Sequence, residues 1–295
     1  MGIEYRSDPR KLEEVAEKLI SSLRNREGIF QKNDLIPELI NPQGIEPGSL
    51  EHSLYIFYGA ALDSLRGSQK VWNAARKMAE AGLKDIAKKP EDARFMLSTY
   101  LDEGIHDPVS ILLKNAEKLD AEYDGDPRNI LNRVRDFDTA QEIVSKFPGI
   151  GKQKASLLIK NLVRFFYASV QHIVPKIDRH MTRMALGTGI VKLYQDGIQM
   201  SMENMNEKVK PRIVHLGTTK NMVYRATGML GLPITKAIDF DDAKYVIGSR
   251  VCVQSRYTKC KELCPLDCTM LVRTTEHVTY AIIPSERRNM QYKLL

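Results

Sequence analysis

The stretch Phe147-Pro148-Gly149-Ile150-Gly151-Lys152-Gln153-Lys154-Ala155 decides the reading of this chain. Before it, Ala140, Ile143, Val144 and Phe147 recur at helical spacing behind Asp138, a residue type that caps helices. After it, Ala155, Leu158, Ile159, Leu162 and Phe166 do the same. Pro-Gly-Ile-Gly between two helices is a tight hairpin. Its glycines tolerate positive φ and let another backbone come close. Amides at the start of the second helix lie at its positive pole and favour a phosphate. Lys152 and Lys154 add full charges there. A helix–hairpin–helix of this kind grips a nucleic-acid backbone without reading its sequence. An ordinary αα-corner with a glycine turn fits the same letters.

Two further features narrow the choice. Asp178 follows 25 residues after Gln153, in Val174-Pro175-Lys176-Ile177-Asp178-Arg179-His180. It reads as the N-cap of a helix opening at Arg179. It also reads as a carboxylate fixed near the hairpin, able to stabilise the cation that develops at C1′ when an N-glycosidic bond breaks, or to activate the attacking group. One residue can do both. His180 reads as a packing or solvated residue. The second feature is the placing of the four cysteines, Cys252, Cys260, Cys264 and Cys268, all within 17 residues. Convergent thiolates on a metal or cluster explain this better than disulfides. The spacing alone leaves zinc and iron–sulfur both open.

The remaining sequence sets bounds. Lys and Arg number 44 against 37 Asp and Glu, a net charge of +7, which suits a polyanionic partner. The N-terminus, charged from Glu4 onward, does not read as a secretory signal, and no apolar run reaches a membrane span. The expectation is an intracellular, cytoplasmic, DNA-associated monomer with no membrane contact. Asp8-Pro9 opens a first helix with the apolar stripe Leu12, Val15, Ala16, Leu19, Ile20 and Leu23. Residues 25–50 read as a connection, and 50–166 as helices broken near Arg66-Gly67-Ser68, Lys89-Pro90, His106-Asp107-Pro108 and Asp124-Gly125-Asp126-Pro127. Strand signals are too few for a sheet-based fold. Val278 to Ile283 reads as a β-like tail, and Met200 to Met205 as flexible helix packing.

The order of parts, hairpin, Ile177-Asp178-Arg179-His180, then Tyr245 to Cys252 leading into the four cysteines, resembles the endonuclease III superfamily of helix–hairpin–helix DNA glycosylases. The matching motifs span about 138 to 268. The resemblance implies an all-α, two-lobed fold with a four-cysteine cluster loop. It would comprise a helical barrel-like domain over 50–166, a second helical domain from 1–49 and 167–270, and a C-terminal extension over 271–295. It favours a [4Fe–4S] cluster over zinc on Cys252, Cys260, Cys264 and Cys268.

Double-stranded DNA with a damaged or mismatched base would be the partner, the target nucleotide flipping beside Asp178. Pro148, Gly149, Gly151, Lys152, Lys154 and Arg179 would contact DNA, with Arg256 and Lys259 added from the first cysteine loop. The loop Asp63 to Gln69 would enter the vacated base stack. The chain departs from the family in one chemical respect. Bifunctional members carry a lysine nucleophile where Gln153 stands, and glutamine forms no Schiff base. Gln153 therefore implies a monofunctional enzyme, with Gln153 lining the pocket. A glycosylase/lyase using a nearby lysine, or a DNA-structure binding protein without chemistry, are the alternatives. The interval to Asp178 is also longer than usual, pointing to an insertion around 167–174, and the cysteine spacing is not the family's commonest.

Overall fold

The structure, a computed structural model, describes residues 3–63, 68–101, 107–195, 198–199, 212–215, 220–223, 232–252, 260–268, 270–275 and 279–284. In chain order it contains strand β1 (Ile3–Ser7), helices α1 (Pro9–Arg24), α2 (Leu50–Leu62), α3 (Ser68–Glu80), α4 (Leu83–Ile86), α5 (Pro90–Tyr100), α6 (Pro108–Tyr123), α7 (Phe137–Ser145), α8 (Lys152–Arg164) and α9 (Arg179–Thr188). Strands β2 (Val191–Gln195), β3 (Ile198–Gln199) and β4 (Arg212–His215) follow. Helices α10 (Ile234–Val246) and α11 (Cys260–Leu263) and strands β5 (Met270–Thr275) and β6 (Thr279–Pro284) complete the order. The described chain is mostly helical, as the apolar periodicity expects. No described helix is long and apolar enough to cross a membrane.

The chain divides into two units, one of residues 36–173 and one of 1–35 with 174–295. The break after 35 falls inside the expected connecting segment, and the break after 173 inside the expected insertion. In the 36–173 unit, α2 is the central helix. Ser49 caps it by accepting from the His52 amide, and every residue from His52 to Leu62 is buried. A helix apolar all round belongs in a core, and α3, α4, α6 and α8 pack on it. The hairpin joins that core through Phe147, whose ring meets Phe57 edge to face with centroids 5.1 Å apart. Below it, Ala155, Leu158, Ile159 and Leu162 of α8 are fully buried.

In the other unit, Asp8 accepts from the Lys11 amide with Pro9 at the first helical position, as expected. Asp8 also pairs with Lys192 on β2 at 2.6 Å. The buried face of α1 (Leu12, Val15, Ala16, Leu19 and Ile20) packs on α10. Two small antiparallel sheets, β1-β2-β3 and β4-β6-β5, lie in this unit. The all-α expectation missed them, apart from the β-like tail that forms β6. Their cue is period two: in β2, Val191 and Leu193 are buried and alternate with half-buried Lys192 and Tyr194.

Several local expectations need correction. The cap of α7 is Asp136, which accepts from the Thr139 amide at 2.8 Å, while Asp138 sits in the first turn. Of the hairpin glycines only Gly149 takes a positive φ, +76°. The connecting segment carries two short 3₁₀ turns, Gly28–Gln31 and Pro37–Leu39. Of the expected breaks, Arg66, Gly67 and His106 lie outside the described residues, as does the stretch Met200 to Met205 read as flexible helix packing.

Helix α8 ends in a Schellman motif. The Tyr167 amide donates to Leu162 O at 2.7 Å and the Phe166 amide to Val163 O at 3.1 Å. The left-handed position, usually glycine, is Phe166 at φ +61° with its ring 95% exposed. The ring therefore gains little burial against the backbone cost. Phe166→Gly is expected to raise unfolding free energy by about 1 kcal/mol, read by urea denaturation. A loss of stability would show that the ring is held by contacts worth more than that strain.

Candidate active site

The expected site residues fall in both units, so each half is described by itself. The first half is the hairpin of the 36–173 unit. Gly149 makes the turn: a Cβ there would meet Ile111 at 3.0 Å and Ala61 O at 3.3 Å. Buried Asn115 donates to Pro148 O at 2.9 Å. Lys154 reaches back to donate to Gly149 O at 2.7 Å and to Ala61 O, at the end of α2, at 2.8 Å. Lys154 thus braces the hairpin as well as charging it, a role its sequence position did not suggest. Gly151 is the N-cap of α8 at φ −89°, with no side-chain cap bond, and a Cβ there would meet nothing within 4 Å. Packing within the described residues does not demand glycine at 151; an exposed, uncapped helix start is what the position presents. Lys152 and Gln153 are exposed in the first turn. In the expected wedge loop, Ser68 donates to buried Asp63 at 3.0 Å, while 64–67 lie outside the described residues.

The second half is built around Asp178. It is the N-cap of α9, and its Oδ1 accepts from the His180 and Met181 amides, each at 2.9 Å. The segment before it is clamped from α10. Asp241 Oδ1 accepts from the Lys176 amide at 2.9 Å, and Lys244 Nζ donates to Lys176 O at 2.6 Å and to Asp241 Oδ1 at 2.7 Å. Asp241 and Lys244 are 2% and 1% exposed. Both groups of one peptide segment are thereby held by one buried ion pair, two residues before the carboxylate. The sequence reading missed this pair. The pair's cue was Asp241-Asp242-Ala243-Lys244, three charges and an alanine in a helix otherwise rich in apolar residues.

Burial opposes ionisation of Asp178, but Lys244, His180 and Lys176 and the Met181 amide outweigh it and hold the carboxyl well below the usual range. A carboxylate so held is a permanent negative charge and a poor proton acceptor near neutral pH. It suits stabilising a cation better than activating water. Arg179 is exposed at the first position of α9. His180 accepts at Nδ1 from Arg183 Nη2 at 2.8 Å, and Arg183 also donates to Gly248 O at 2.9 Å. His180 lies so close to Gly248 that a Cβ there would sit 2.3 Å from its own Cβ. His180 is therefore a packed residue.

Gly248 belongs to a π-helical turn, Ile247–Val251, that delivers the chain to Cys252, whose amide donates to Ile247 O at 2.8 Å. Cys264 is buried and Cys268 half-buried, and neighbouring Asp267 pairs with Lys18 of α1 at 2.7 Å. The side chain of Cys260, and Arg256 and Lys259 entirely, lie outside the described residues. Among the described residues no group of three or more His, Cys, Asp or Glu side chains gathers as a metal site. Four thiols are nonetheless a donor set that fits an iron–sulfur cluster or a zinc ion.

No known protein-family model matches the chain, and no curated protein matches it in sequence.

His180 gives a pH test of this packing. Burial, reinforced by Arg183, Arg179 and Lys244 and opposed by Asp178, pushes its imidazole from 6.5 down to about 4. The unfolded ring binds a proton that the folded ring refuses. Its contribution is present above pH 6.5 and is lost as pH falls toward 4. Between those values its loss should cost about 3 kcal/mol of unfolding free energy. Urea titrations are expected to show that His180→Gln, which still accepts from Arg183, loses less stability than the parent over this range. Parallel curves would remove His180 as the cause.

Proposed function

We propose that this protein is a DNA repair N-glycosylase that acts as a monomer on duplex DNA, flips a damaged or mismatched base and cleaves its N-glycosidic bond. The single observation that carries the reading is the state of Asp178. It is a half-buried carboxylate, capped by two amides, clamped by the Asp241–Lys244 pair and kept ionised by surrounding cations. The uncapped start of α8 behind Gly149 and Gly151 supports it, because exposed amides and Lys152 suit a phosphate. The net charge of +7 supports a polyanionic partner.

In this reading the base departs with the electrons of the C1′–N bond. The positive charge left on C1′ and the ring oxygen faces Asp178, whose fixed negative charge lowers the barrier. Water then attacks C1′ and releases its proton to solvent. Lys152, Lys154, Arg179 and the hairpin amides hold phosphates, with Arg256 and Lys259 from the cysteine loop. Gln153 lines the pocket and offers no amine. Cys252, Cys260, Cys264 and Cys268 would hold a [4Fe–4S] cluster, zinc being the alternative. When bound, the cluster would supply a cross-link among the segments that carry the four cysteines.

The test is incubation with duplexes each carrying one lesion or mismatch, followed by measurement of free base. Asp178→Asn keeps a capping oxygen. It is expected to bind the processed duplex as the parent does while losing about 100-fold or more in base release. Tight binding without release from any duplex would sink the enzymatic reading and leave a DNA-structure binding protein. Metal analysis of the purified protein is expected to find about four iron atoms per chain. One zinc and no iron would reject the cluster.

A further inference from the structure

We propose that His52 and Tyr167 form a proton-operated latch that fastens the strap 165–173 to the start of α2, and that protonation of His52 releases it. The strap covers most of the stretch that the sequence reads as an insertion. It runs from the end of the hairpin helix α8 to Ile173, and the chain continues directly into Val174-Pro175-Lys176-Ile177-Asp178. The latch therefore sets the slack in the chain between that helix and the segment leading to Asp178. Whether the latch exists does not depend on the excision reading.

The receiving side is held firmly. Gly48, at φ +102°, has its carbonyl bound by Arg128 Nη1 at 2.8 Å, and Arg128 pairs with Asp126 at 2.7 Å. The Gly48 amide donates to Tyr167 Oη at 2.7 Å, and that oxygen lies 2.8 Å from His52 Nδ1. His52 is fully buried, with the Phe165 ring edge-on at 4.6 Å between centroids. Its Nε2 has no hydrogen-bond partner among the described residues. At the far end of the strap, Val170 and Ile173 are buried and the Gln171 amide donates to Arg135 O at 2.8 Å. The near end is strained, because Phe166 sits at φ +61° with its ring in solvent. Strain of this kind persists only where neighbouring contacts impose it, and the Tyr167 hydroxyl is such a contact.

A phenol has one proton to donate. With the Gly48 amide on its oxygen, Tyr167 gives that proton to Nδ1, and the neutral imidazole carries its own on Nε2. Protonation of His52 puts a second proton on Nδ1, facing that of the hydroxyl. The bond is lost, and a buried cation appears with Nε2 still unpartnered. The charged groups around the latch are the Asp126–Arg128 pair on the 3₁₀ turn Pro127–Asn129, exposed Glu51 on α2, and Arg164 at the end of α8, which bonds Asn161 Oδ1 at 3.1 Å. Tyr55, its ring 5.9 Å from that of His52, and Tyr167 are both pushed upward by burial and stay neutral. Exposed His172 titrates within the strap but packs beside Phe137. Burial alone holds the His52 imidazole below its ordinary 6.5. The opened ring binds a proton that the closed ring refuses, so the latch holds fully above pH 6.5 and loosens as pH falls below it.

The experiment follows amide hydrogen exchange by NMR in the full chain between pH 8 and 5, with protection factors that divide out the intrinsic pH dependence. The Gly48 amide reports the latch directly. Its protection is expected to fall by up to about tenfold per pH unit below 6.5, in step with the titration of the His52 ring followed in the same samples. Leu158 and Ile159 of α8 should keep their protection. His52→Asn, whose amide oxygen can accept from Tyr167 but does not titrate, should flatten the Gly48 response, and His172→Gln should leave it as in the parent. Tyr167→Phe should lower Gly48 protection about 5-fold or more at pH 8. Flat Gly48 protection in the parent, a fall out of step with the His52 titration, or a parallel fall at Leu158 and Ile159 would each overturn the latch, and none of these depends on how a variant folds. A slope retained in His52→Asn, a slope abolished by His172→Gln, or unchanged protection in Tyr167→Phe would overturn it as well.

Discussion

A single buried ammonium, Lys244, governs the candidate chemistry of this chain. With Asp241 it replaces, for the segment at Lys176, the hydrogen bonds that a strand or helix would otherwise supply. Backbone groups removed from water need partners, and irregular chain at this depth is tolerable only because a side-chain pair provides them. The arrangement is costly to build and costlier to break. Removing one member of such a pair leaves an uncompensated buried charge, about 3–5 kcal/mol in comparable cases. The same charge keeps Asp178 ionised despite its burial. Position and protonation of the carboxylate therefore have one common source.

The hairpin follows the same logic in the 36–173 unit. Its carbonyls are satisfied from inside, Pro148 O by Asn115 and Gly149 O by Lys154, while the first amides of α8 face outward from an uncapped start. Acceptors are consumed by the fold, and donors are left at the surface. An anion is the ligand that this asymmetry suits. Because the turn is braced on α2 and α6 before any ligand arrives, little ordering cost remains to be met on binding.

Much of this was legible in the letters. The Asp8-Pro9 start, the stripe on α1, the hairpin and the cap at Asp178 each rest on contacts a few residues apart. Asp136 and Asp138 show the limit of such reading: both are capping residues two apart, and only the phase of the helix against its neighbours selects the first. The β1 strand was missed because its partner β2 lies at the far side of nine described helices in sequence. Asp241 and Lys244 were missed for a different reason. An acid and a base three apart on a helix ordinarily mark a solvated face, and only the burial of α10 turns that pair into a clamp.

The contact between His180 and Gly248 has a consequence for how this unit opens. The first turn of α9 and the π turn before Cys252 are pressed together too closely for a methyl group to intervene, and Arg183 bridges them. Neither can swing outward alone. Their amides should therefore exchange with solvent in a single cooperative event, so that opening of the π turn is felt as loosening of the helix that Asp178 caps.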